Sequence, residues 1–184
     1  MEKRGKSSKI LIFIFFLPFL IFSLLQFLAP IVLPKGSVVN LDGISAVVDN
    51  EDLINKIPAP WNFIYSAGDR LCHQKSERSF FINDNQMPFC ARCTAIFLGI
   101  AVGISYTVFF KINLDIKFLF IMSLGFVPIG IDGLGQLFGF WESSNLTRVV
   151  TGLLIGIVTG FAIAIIIDEL SEMFIFRKKR KVIN

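Results

Sequence analysis

All three cysteines of the chain and its only histidine fall within 22 residues, as Cys72-His73-x16-Cys90-x2-Cys93. A C-x2-C pair can place two thiolates on one ion, and Cys72 with His73 can complete a tetrahedral Cys3His set, which favours Zn2+. Side chains of adjacent residues point in different directions, so a site in which only one of Cys72 and His73 ligates also fits the spacing. That site keeps one coordination position for water or substrate. A closed four-ligand site is structural, whereas three ligands and an open position suit catalysis. Interfacial cysteines that bind no metal are the plain alternative.

Further polar residues extend this set. Gln74 and Arg78 follow the Cys-His pair, Arg92 lies inside the C-x2-C, and Asn145 stands three residues before Arg148. Asp132 and Gln136 are four apart and so share a helix face. Arg78, Arg92 and Arg148 are cationic donors suited to a phosphate or carboxylate. Asp132 is a candidate general base or the ion-pair partner of one arginine, which makes Asp132, Arg92 and Arg148 the candidate catalytic residues. Arg78, Gln74, Gln136 and Asn145 are the candidate ligand-binding residues, orienting a ligand or the groups behind the metal ligands. The bland reading of the arginines is an interfacial anchor or a structural ion-pair network.

The elements that must position these residues are membrane spans. Only 17% of the residues are charged, against about 25% in soluble domains, and 54% are hydrophobic. Four blocks carry no charge: 10–33, 93–110, 118–131 and 149–167. A run of about 18 apolar residues crosses a ~30 Å hydrocarbon core. The expected fold is therefore all-α, a polytopic bundle of four transmembrane helices. A soluble domain, a secreted disulfide scaffold and an ordinary nucleic-acid binder are excluded, so the bilayer and not a nucleic acid is the expected partner.

Charge sets the expected orientation. Lys3, Arg4, Lys6 and Lys9 open the chain, Arg177, Lys178, Lys179, Arg180 and Lys181 close it, and Lys111 and Lys117 lie between the second and third spans. The 35–88 loop has five basic and seven acidic residues, hence a net charge of −2. The positive-inside rule puts both termini in the cytoplasm of a multi-pass cell-membrane protein and the 35–88 loop and 141–148 turn outside. All the polar candidates then converge on the outer face. The first apolar run is too long for a signal-peptide h-region and lacks an A-x-A site, so it is expected to stay as a helix. The expected regions are 1–34 (N-terminus and first span), 35–88 (outer loop with the Cys-His motif), 89–175 (three spans) and 176–184 (basic tail).

Within the loop, alternation over 36–52 around Asp42-Gly43 predicts a short hairpin, and 61–71 after Pro58-Ala59-Pro60 predicts an interfacial helix. Ala95, Gly99 and Gly103, and Gly152, Gly156 and Gly160, form small-xxx-small rows that pack helices within one chain or between two. Pro128, Gly130, Gly133, Gly135 and Gly139 predict a kink or unwinding in the outer half of the third span.

A C-x-x-C at the outer start of a transmembrane helix resembles quinone-coupled disulfide oxidases and vitamin K epoxide reductases. That resemblance implies a quinone cofactor and exchange at Cys90 and Cys93, but such families use a second cysteine pair and here only Cys72 remains. The zinc deaminase and c-type haem signatures fail on spacing. The string Cys72-His73-Gln74…Glu77-Arg78-Ser79-Phe80…Gln86-Met87-Pro88-Phe89-Cys90-Ala91-Arg92-Cys93-Thr94 is more specific. With Asp132-Gly133…Gln136 and Ser144-Asn145…Arg148…Thr151-Gly152, it resembles the prokaryotic predicted membrane proteins grouped as domain of unknown function 2085. This resemblance implies a membrane assignment and a single site, without a reaction.

The function expected from these residues is an outward-facing zinc site beside an Arg/Asp/Gln/Asn pocket, in a protein that modifies a lipid or isoprenoid phosphate. A quinone-linked thiol–disulfide oxidoreductase and a non-catalytic transport or assembly component are the alternatives. Oligomeric state is not encoded in any feature of the sequence.

Overall fold

The computed structural model describes residues 6–43, 46–112 and 114–183. Four helices are long and apolar enough to cross a membrane: α1 (Lys6–Val32), α4 (Ala91–Phe109), α5 (Ile116–Leu137) and α6 (Asn145–Ile183). Between α1 and α4 lie α2 (Glu51–Ile54), α3 (Trp61–Leu71), a 3-10 turn at Ser76–Arg78, β1 (Ser79–Ile82) and β2 (Asn85–Cys90). The chain is an all-α polytopic membrane protein with one two-stranded sheet. The basic residues 3 and 4 and the side chains of 177–181 lie outside the described residues.

α4 and α6 form the central post of the bundle because their small-residue rows interlock. A Cβ added at Gly99 would lie 2.7 Å from the Leu153 carbonyl oxygen, one at Gly156 2.4 Å from that of Ile96, and one at Gly160 2.5 Å from that of Ile100. No side chain fits between two backbones this close, so the rows pack against each other inside one chain. α1 closes one flank, with Ile12 meeting Ile100, Ile104, Ala164 and Ile167 in a buried cluster. α5 leans mainly on α6, and only 11% of its span is buried, against 44% of the α4 and α6 spans.

The segment between α1 and α4 folds into a cap over one end of the bundle. Its hairpin forms at β1–β2, and no strand forms among the described residues of 36–52. Asn83 and Asp84 turn the chain with φ of 54° and 56°, the left-handed pair that a two-residue hairpin turn requires. The 36–43 stretch instead pairs with side chains: Asn85 Oδ1 accepts from the Val38 N–H at 2.9 Å and Gln86 Oε1 from the Leu41 N–H at 2.9 Å. The alternation in this stretch reflects Val38 and Leu41, which plug into a core with Ala29, Leu33, Ile64 and Tyr65. The expected helix at 61–71 is α3, and it buries Ile64, Tyr65, Gly68 and Asp69.

The unwinding that was one expectation for the third span does not occur. α5 runs through Pro128 to Leu137, and the glycine signal belongs to its end: Gly139 has φ +72°, its N–H reaches Gln136 O, and Phe140 N–H reaches Gly135 O. These two bonds are the Schellman closure of a helix C-terminus.

Candidate metal centre

The three cysteines arrive from three elements. Cys72 ends α3, Cys90 ends β2 as the residue before α4, and Cys93 lies in the first turn of α4. Their sulfurs all lie within 4.8 Å of one another, and the Cys90 N–H points at Cys72 Sγ at 3.3 Å. Thiolates at ~2.3 Å from a tetrahedral zinc ion stand about 3.8 Å apart, so a small inward movement closes the set on one ion. Cys72 is buried and the other two are half-buried.

These thiols are not electrostatically alike. Hydrogen bonds from Cys72 and Cys93 hold the Cys90 thiol well below its ordinary range, and the N–H groups of Cys93 and Arg92 at the start of α4 act the same way against the opposing effect of burial. The hydrogen bond with Cys90 pushes Cys72 up, and burial adds to it against an opposing effect of Cys93. Three thiols this close compete for protons, and a cation bound among them would displace those protons.

His73 is exposed and stands outside the sulfur group. Among the described residues the sulfur group gathers the three cysteines without His73, as the one-ligand alternative for the Cys-His pair has it: Cys72 is buried and His73 exposed. Gln74 turns inward. It is fully buried with φ +44°, its Nε2 donates to the Pro88 carbonyl at 2.8 Å, and Gln86 Nε2 donates to its own carbonyl at 2.5 Å. Its amide braces the loop that presents Cys72 and is not offered to a ligand.

The other candidates do come together. Arg92 on α4 pairs with Asp132 on α5. Gln136 Nε2 donates to Asp132 at 3.1 Å, Arg148 donates to Gln136 Oε1 at 3.3 Å and to Asn145 Oδ1 at 3.0 Å, and Asn145 donates to the Ser79 carbonyl at 3.4 Å. One network thereby ties α4, α5, α6 and β1 at the capped end. Asp132 also accepts from Trp141 Nε1 at 3.4 Å, and the Trp141 ring packs flat over Gly135. The expected alternatives for Asp132 resolve toward the ion pair, since its oxygens already serve three donors.

Arg148 is the unusual member. It is only 5% exposed, its partners are neutral amide oxygens, and no carboxylate lies within ion-pair distance of it among the described residues. Arg78, Arg92, Asp132 and Cys90 all lie within its electrostatic reach. Arg92 Nε is buried without a hydrogen-bond partner, and Arg78 is half-exposed with Glu77 at 3.8 Å. A buried guanidinium lacking an anion carries an unmet desolvation cost. Geometrically, three thiols able to hold a cation sit beside cationic donors able to take an anion.

Trp141 and the bracing amide of Asn85 were not assigned to the site from spacing. Trp141 carried one signal, an indole N–H that needs a partner when packed. Replacing Asp132 by Asn should lower thermal stability by roughly 3 kcal/mol, because Arg92 is left half-buried without its counter-charge. Thermal unfolding in detergent checks this, and an unchanged transition would show that Arg92 finds solvent instead.

Comparisons with known proteins point to a family of membrane proteins. The family model described as predicted membrane protein (DUF2085) matches residues 72–163, which contain every residue of the sulfur group and the arginine network. An uncharacterized protein of Methanocaldococcus jannaschii is 34% identical over 158 residues, 83% of this chain and 89% of the relative. An uncharacterized protein of Methanothermobacter thermautotrophicus is 37% identical over 87 residues, 47% of this chain and 78% of the relative. No solved structure matches the chain.

Proposed function

The chain belongs to the DUF2085 family of predicted membrane proteins, and from that premise we propose that it holds one zinc ion on Cys72, Cys90 and Cys93 at the outer face of the cell membrane and binds the phosphate head of a membrane lipid beside it. The observation that carries this reading is the convergence of three sulfurs, from three separate elements, within 4.8 Å. Three protein ligands leave a fourth zinc position for water or substrate, and an ion in such a site lowers the pKa of bound water to about 7. Arg148, Arg92 and Arg78 supply the donors for the anion, with Gln136 and Asn145 fixing Arg148 and Asp132 fixing Arg92. Asp132 is accordingly a positioning residue. This inventory suits a lipid-phosphate-modifying enzyme. The acidic 35–88 loop and the basic flanks favour the outward orientation with both termini inside.

The decisive measurement is elemental analysis combined with a thiol count on protein purified in detergent. About one zinc per chain is expected, with all three thiols resistant to alkylation until a chelator is added. Metal-free protein with Cys90 and Cys93 joined as a disulfide, reoxidised only in the presence of a quinone, would overturn the proposal in favour of a thiol–disulfide oxidoreductase. Metal-free protein with three freely alkylated thiols and full function in cells would leave a non-catalytic transport or assembly role.

A further inference from the structure

A cavity of about 240 Å³ lies between α1, β1, α4 and α6, along the first turns of α4. Its walls are almost wholly apolar: Phe27 from α1, Phe80 from β1, Ala91 and Leu98 at the two ends of the α4 wall, and Val149 and Leu153 from α6. It opens beside Phe80, which is 40% exposed. From Ala91 to Leu98 the α4 wall descends about 10 Å along the helix axis, away from the cap and into the depth of the span.

The placement of this cavity relative to the site is specific. Phe80 follows Ser79, whose carbonyl receives Asn145. Ala91 stands between Cys90 and Arg92, and Val149 follows Arg148. On a helix, consecutive side chains diverge by about 100°, so the same turns of α4 and α6 turn one face to the sulfur and arginine groups and the adjacent face to the cavity. The apolar slot and the cationic, metal-ready group thus draw on neighbouring residues of the same turns of α4 and α6. Only an amphiphile matches both halves. Drug-sized pockets begin at about 300 Å³, so the slot takes one hydrocarbon chain in part and has no room for two.

We propose that this cavity binds the single hydrocarbon chain of a lipid monophosphate whose head is held by Arg148 and Arg92, so that the protein selects its ligand by chain as well as by charge. The inference rests on the phosphate reading of the site above and adds the class of molecule: a one-chain prenyl or alkyl phosphate, as opposed to a two-chain glycerophospholipid or free phosphate. The buried guanidinium holds the phosphate at the end of α6, and the first carbons of the chain descend past Val149 toward Leu98 and Leu153.

Zinc-loaded protein in phosphatidylcholine nanodiscs allows a direct test, with each ligand compared between wild type and variant so that partitioning into the bilayer cancels. Farnesyl phosphate, dodecyl phosphate, ethyl phosphate and phosphatidic acid serve as probes. Val149→Trp fills the slot from the α6 side and Leu98→Trp from the α4 side. Each should weaken farnesyl and dodecyl phosphate about tenfold, the effect of excluding roughly two methylene groups, and leave ethyl phosphate unchanged. Unfolding temperature and zinc content of both variants confirm that the site is intact. Farnesyl and dodecyl phosphate responding alike identifies any single chain as the determinant, and farnesyl alone responding narrows it to isoprenoids. Equal binding of ethyl and farnesyl phosphate, or equal loss of phosphatidic acid and farnesyl phosphate in the variants, would overturn the chain inference alone. Failure of every phosphate to bind zinc-loaded wild type would overturn the head-group reading, and the chain inference with it.

Discussion

Cys90→Ser is expected to reduce bound zinc from about one equivalent to below about a tenth, while His73→Ala retains the ion. The contrast follows from position. Cys90 joins β2 to α4, its N–H points at Cys72 Sγ, and its sulfur lies within 4.8 Å of both others, so it is one of the three ligands the set needs. Serine keeps the size and the hydrogen bond but not the soft ligand, and two remaining cysteines hold zinc weakly at any pH where they must first lose protons. His73 is exposed and outside the sulfur group, so removing its ring takes no ligand away. Zinc measured on the two variants after identical dialysis decides the matter. Loss of zinc in His73→Ala would restore a Cys3His set formed by a loop movement at Cys72.

Gly68→Ala should be nearly as damaging, although Gly68 carries no chemistry. A Cβ there would lie 1.8 Å from the Pro88 carbonyl oxygen and 2.6 Å from Gln74 Nε2. Both neighbours position ligands: Pro88 is two residues before Cys90, and Gln74 is two after Cys72. One methyl group therefore pushes α3 away from β2 and spreads the two elements that deliver Cys72 and Cys90. A cost of about 3 kcal/mol is expected, the upper end for overpacking against backbone that cannot yield, together with weakened zinc retention. Gly130→Ala is the matched control. An added Cβ at Gly130 meets nothing within 4 Å, so helix propensity makes that change neutral or stabilising by up to about 1 kcal/mol. A Gly68→Ala protein with native stability and full zinc would mean that the α3–β2 contact opens without moving either cysteine.

The contrast between what was legible in the sequence and what was not has a physical pattern. The four spans, α3 and the glycine seams were legible because each is a repeated property: apolar length, amphipathic spacing, small residues every fourth position. The convergence of Cys72, Cys90 and Cys93 was legible from their crowding into 22 residues. The hairpin was misplaced because Asp42-Gly43 carries the more familiar turn letters, whereas Asn83-Asp84 makes the turn with two left-handed residues and no glycine. Gln74 was misread because a buried amide that braces backbone and one that meets a ligand have the same letter. Only the bonds from Gln74 to Pro88 and from Gln86 to Gln74 separate the two. Unwinding was expected of α5 for a similar reason: glycines that cap a helix, seat a tryptophan or stand in open space look alike before the fold is known.

The order in which the site's parts occur along the chain bears on how the protein is made. Every sulfur ligand is synthesised by residue 93, when the first span is complete and α4 has only begun, and the α3–β2 contact that holds them is complete by then. Arg148 and the α6 row that locks α4 arrive more than 50 residues later. During membrane insertion the sulfur half is therefore ready before its cationic half, and a metal ion captured at that stage would serve as a template on which the last helix docks.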